Sequence, residues 1–304
     1  MVKLNKDFLK KITFKNIKAD FFGLFSGITI KEVLLFLVFP ISIILLMLLP
    51  ENIKGMLSFN IDDASWWQFI THAFIHHDFN HLWDNLNGFL IFGIILFIFS
   101  NKAGDKRNLA LLFFFTLVSL PLISSVIKIS IYPTFMPMIK TSQGSSGLVS
   151  AILGFLPMLW IFYLSKRQKH NLLTLNFFNL CGLYVALLFV FIYYPIHKNI
   201  SYILVVVAFT VLIAFLNRKH FKLMLKGVLE ESKDNIIFYF LMILIPLFFM
   251  IAPLLLFPVK LVQGNSLVDF FMHYIGLIYG LIISFIFLKW KLSKLTDNKT
   301  KLPH

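Results

Sequence analysis

Residues 144–164 read GSSGLVSAILGFLPMLWIFYL, and no charged side chain interrupts the run before Lys166. A stretch this long and apolar matches the ~20 residues that cross a bilayer as a helix. Gly147, Ala151 and Gly154 fall on one face of that helix. A bare face of this kind lets a second helix come close, which is how helices associate where lipid removes the hydrophobic drive. Ser146 opens the run, at the end where backbone N–H groups have no partner within the helix and can stabilise a negative oxygen.

Outward from this stretch, seven more apolar runs are long enough to span: 33–50, 81–100, 109–127, 175–196, 200–217, 236–258 and 267–288, beside 146–165 itself. Pro195, His197 and Lys198 mark the short turn between two of them. The chain is 59% hydrophobic with a mean hydropathy of +0.84, above the ~45–50% apolar content of soluble domains. An all-α, polytopic membrane helix bundle of about eight transmembrane helices is expected. The net charge of +14 would suggest nucleic acid in a soluble chain. Here the basic residues sit between apolar runs, so no nucleic-acid partner is expected and the bilayer is. If the N-terminus is cytoplasmic, 23 of the 28 Lys and Arg lie on the inner side. That bias puts both termini in the cytoplasm of a cell-membrane protein. Residues 1–31 read as a basic N-terminal segment, either an amphipathic helix on the inner leaflet or a solvated tail. Residues 32–290 read as the membrane domain and 291–304 as a basic tail. The single cysteine, Cys181, excludes a disulfide.

Two other clusters share features with Ser146. His273, Gly276 and Gly280 lie on one face of the last run, and a histidine inside a span is costly enough to suggest a function. His81 and Asn85, one turn apart in the second run, are both hydrogen-bond donors. Ser146, His273 and His81 stand 20, 16 and 21 residues from Lys166, Lys289 and Lys102, the inner basic anchors of their spans. At ~1.5 Å per residue all three reach one layer, about 24–32 Å above the cytoplasmic face. A nucleophile, a base and hydrogen-bond donors at one depth suit acyl transfer. Asp269, one turn before His273, is placed to support its imidazolium or simply to cap the helix.

These motifs together resemble the rhomboid family of intramembrane serine proteases. The likeness covers Trp67-Gln68-x-x-Thr71-His72, His76, His81-x-x-x-Asn85, Gly144-x-Ser146-Gly147-x-x-x-Ala151-x-x-Gly154 and His273-x-x-Gly276-x-x-x-Gly280. It implies a six-helix core carrying two extra helices. It implies a dyad of Ser146 as nucleophile and His273 as base, with an oxyanion hole of His81, Asn85 and the Ser146 N–H. Gly144, Gly147, Gly276 and Gly280 would support the site, and Thr71 and His76 would hold the first external loop. The substrates would be transmembrane proteins, cleaved near the outer face without cofactor or metal. A catalytically silent relative that binds membrane proteins is the alternative. Several positions depart from the family: Gln68 replaces an arginine, Ser100-Asn101-Lys102 lacks an acidic residue, and Ser150 stands where a tyrosine is frequent. Three runs separate serine from histidine instead of one. An added pair keeps the parity, so His273 still enters from the outer side. A transporter would call for internal repeats, and none is visible.

Overall fold

The computed structural model describes residues 14–135, 137, 139–197, 200–231, 234–256, 262–263, 266–267 and 270–300. Six of its helices are long and apolar enough to cross a membrane: α2 (Ile30–Met47), α5 (Phe79–Lys102), α6 (Lys106–Phe135), α7 (Ser146–Gln168), α11 (Ile236–Leu256) and α12 (Phe270–Thr300). The protein is therefore a multi-pass membrane protein. α8 (Leu175–His197) and α9 (Ile200–Leu216) occupy the other two expected runs. Over their described residues they count as shorter apolar helices, so six of the eight expected runs form helices of spanning length and composition.

α7 stands at the centre, with its whole apolar length buried. Its largest contact is with α12, then α5, then α11. α8 packs on α12 through Phe178 against Phe285 and Phe189 against Tyr274. α9 packs chiefly on α8 and on the amphipathic helix α10 (Arg218–Glu231), and Leu204, Phe209, Leu212 and Phe215 stay exposed along it. α9 thus lies at the rim of the bundle, away from α7.

α7 and α12 run parallel and interlock through backbone. A Cβ built on Gly276 would lie 2.1 Å from the Gly147 carbonyl oxygen, and one on Gly280 would lie 2.1 Å from that of Ala151. One on Gly154 would lie 2.5 Å from the Leu277 carbonyl oxygen. Only glycine permits this approach, so the small-residue stripes read from sequence do meet.

The helix ends remote from Ser146 are tied by polar contacts. Lys291 on α12 pairs with buried Asp105 at 2.8 Å. Arg167 at the end of α7 pairs with Glu231 at 2.6 Å and with Asp234, while Tyr163 donates to Glu231 at 2.6 Å. The N-terminal helix α1 (Phe14–Leu24) packs on α11. Lys102 and Asn101 donate to its Gly23 and Leu24 carbonyls, so these residues serve as carbonyl clamps where the family carries an acid.

On the opposite side, residues 51–78 form α3 (Glu51–Leu57), strand β1 (Phe59–Asn60), α4 (Gln68–Thr71) and a 3₁₀ turn (His72–Phe74). Non-helical backbone near lipid must be satisfied from within, and Gln68 does much of this. Its Nε2 donates to the Met56 carbonyl at 3.0 Å, and its Oε1 accepts from the N–H groups of Ser65 and Asn60 at 3.2 and 3.3 Å. The amide thus fills the arginine position as donor and acceptor together. Thr71 donates to the Leu57 carbonyl at 2.7 Å. β1 pairs with β2 (Thr141–Ser142), antiparallel, which binds this loop to the segment leading into Ser146.

Candidate active site

Three helix starts converge here. Ser146 is the first residue of α7, His81 lies in the first turn of α5, and His273 in the first turn of α12. Asp78 caps α5 by accepting from the His81 N–H at 2.8 Å. The register Gly147–Gly276 and Ala151–Gly280 makes Ser146 level with Ile275. His273 is two residues outward of that level, about 3 Å of helix rise. Met272, its neighbour, brings its methyl group to 3.0 Å from a Cβ built on Gly147.

The segment before Ser146 is held from several sides. Gly144 has φ +117°, a conformation that side chains rarely adopt. A Cβ there would lie 2.7 Å from Cε1 of His81, so the imidazole rests on the glycine backbone. The Gly144 N–H donates to the His72 carbonyl at 2.9 Å, and Ser58 donates to Gln143 at 2.8 Å. Lys128, buried on α6, donates to Ser142 at 2.7 Å.

His76 joins the remaining pieces. The Asn85 amide and the Ser145 hydroxyl each lie 3.1 Å from its Nε2, and the Ser145 N–H lies at 3.4 Å. Its ring stands edge-on to that of His81 at 5.3 Å. Nε2 carries either one lone pair or one proton, so these groups share a single hydrogen-bonding position on the ring, and the tautomer sets the direction. The Asn85 amide keeps a second N–H beyond the one given to His76. His81, Asn85, Gly144 and Ser146 are therefore brought together, and the glycine interlock sets His273 beside them in height. Asp269 lies outside the described residues. Ser150 is fully buried on α7.

Burial, and then the neighbouring His81, push His76 down to about 3. Burial, and then the charge of Lys128, push His72 to about 3 as well. Both rings are neutral at physiological pH. Below the ordinary value of 6.5 the unfolded chain takes protons that the folded chain refuses, so stability falls as pH drops from 6.5 towards 3. The slope is about 1.4 kcal/mol per pH unit for each histidine at its limit. His76→Gln should lower that slope in thermal melts between pH 7 and 5; an unaltered slope would show that His76 does not contribute to it.

A family model for the rhomboid domain matches residues 63–216, just over half of the 304-residue chain. The chain belongs to the rhomboid family. No curated protein and no solved structure matches it. The rhomboid match takes in the loop before α5 from Asp63 onward, His81, Asn85 and Ser146, and it stops before α12. Gly276 and Gly280, beyond the match, pack against α7. Two groups escaped the sequence reading. Lys128 counted there only as an outer-side charge, although it falls just past an apolar run, inside the helix that continues to Phe135. Ser145 gave no signal, because its role depends on a histidine sixty-nine residues earlier.

Proposed function

We propose that the chain is an intramembrane serine endopeptidase that cleaves transmembrane segments near the outer face of the cell membrane, with both termini cytoplasmic. The parallel glycine interlock of α7 with α12 carries the reading. It supports Ser146 and His273 at adjacent levels, with His81 and Asn85 gathered around the segment before the serine. In the reaction, His273 takes the Ser146 proton as the oxygen attacks a peptide carbonyl. The negative oxygen is held by the Ser146 N–H, the free N–H of Asn85 and His81. The amine leaves with the proton from His273, and water, deprotonated by the same ring, releases the acyl group. Substrates with small or helix-breaking residues near the outer end of the span unwind there at least cost.

A fluorophosphonate tests the reading without knowledge of a substrate. Wild type should be labelled on Ser146, and Ser146→Ala should not be. Labelling that survives in Ser146→Ala, or wild type that never reacts, would overturn the assignment and favour a silent binder. Asp269, four residues before His273 in the sequence, is the candidate support for its imidazolium. Asp269→Asn should then slow labelling more than about tenfold, and an unchanged rate would reduce it to a helix-start acid.

A further inference from the structure

A crevice of about 430 Å³ opens on the membrane face between α2, α5, α6 and α7, away from the candidate active site. Its walls are Phe36, Phe89, Gly93, Phe113 and Ile152, and its mouth carries Glu32, Lys106 and Arg107. The Phe36 ring lies against Gly93, where a Cβ would come within 2.8 Å of it, and stacks on Phe89 at 5.1 Å. An apolar space among spans offers water no partners, and an empty one forfeits contact along its lining. Its length is informative. Along α5 its lining runs from Phe89 to Ser100, eleven residues, about 16 Å of helix. That is close to half the ~30 Å hydrocarbon thickness, the reach of one acyl chain in one leaflet.

The charges at the mouth are not equivalent. Lys106 is spent on Glu32 at 2.8 Å and on the Gly27 carbonyl at 2.6 Å. Arg107 is exposed and has no ion pair among the described residues. One unspent guanidinium above an apolar slot complements a phosphate with a chain below it. We propose that the crevice is a binding site for one anionic phospholipid of the adjacent leaflet, with its phosphate on Arg107 and one acyl chain against Phe36, Phe89 and Phe113. Ile152, at the inner end of the crevice, belongs to the serine helix, so the lipid packs directly on the helix that carries Ser146. The proposal rests on the α2, α5 and α6 surfaces and stands apart from the protease reading.

Native mass spectrometry of the delipidated full chain in detergent tests it. Dioleoyl phosphatidylglycerol should bind at one per chain, about fivefold tighter than dioleoyl phosphatidylcholine. Arg107→Gln, a change at an exposed residue, should remove that preference. Ala110→Phe should block the slot and weaken both lipids. Equal binding of the two lipids by wild type, or undiminished binding by a folded Ala110→Phe, would overturn the proposal. A phosphatidylglycerol with a mid-chain diazirine tests wild type directly. Crosslinks within 89–97 and 109–114 support the site; crosslinks spread elsewhere, or a crosslinked second copy of the chain seated in the slot, overturn it.

Discussion

Ser146→Ala is expected to slow cleavage of a single-span reporter by about 10⁴-fold or more, and His273→Ala by a similar factor. The double variant should be no slower than the worse single variant. A hydroxyl and the base that deprotonates it act as one unit, so removing the second part of a disabled unit costs little. Two side chains with separate roles would instead multiply their losses. Binding of the reporter should change little in all three, because neither group is asked to hold the substrate before attack. Additive losses would separate His273 from the serine, and a wild-type rate in Ser146→Ala would end the serine mechanism.

Gly280→Val is expected to cost about 10²-fold in phosphonate labelling, although Gly280 lies seven residues beyond His273. Its Cβ would stand 2.1 Å from the Ala151 carbonyl oxygen. Ordinary carbon–oxygen contact requires the helices to part by about 1 Å, and a shift of that size is enough to spoil a near-attack geometry. Glycine is otherwise a poor helix residue, so a replacement free of contact gains up to about 1 kcal/mol. Gly182→Ala provides that control, since nothing lies within 4 Å of its Cβ; it should label at the wild-type rate and melt no lower. If Gly280→Val also labels normally, close packing of α7 and α12 does not position the site.

The glycine interlock was legible because helical periodicity is local. The spacing of 147, 151 and 154, and of 276 and 280, states which face is bare without reference to the partner. The gathering of His81 and Asn85 beside the serine segment was legible for the same reason, from depth along separate spans. What was not legible joins residues distant in sequence. Asp105 with Lys291, Arg167 with Glu231 and Lys128 with Ser142 are ordinary charges until the helices are placed. The count of eight spans rested on apolar runs and on the Lys and Arg residues between them; six of those runs form helices of spanning length and composition among the described residues. Gln68 looked like a loss against the family pattern. Its one donated and two accepted hydrogen bonds show that the amide satisfies backbone groups of both kinds in this loop.

The α7–α12 contact has only one seating. Sliding α12 by one turn, about 5.4 Å, would set either Met272 or Gly280 against Gly147. In the first case a thioether meets a backbone notch, and in the second Ser284 meets Ala151 where a Cβ has no room. Neither neighbouring notch is open, so gradual creep of one helix along the other is denied. On warming, Ser146 and His273 should therefore hold their relative levels until the two helices come apart, and loss of phosphonate labelling should coincide with melting instead of preceding it.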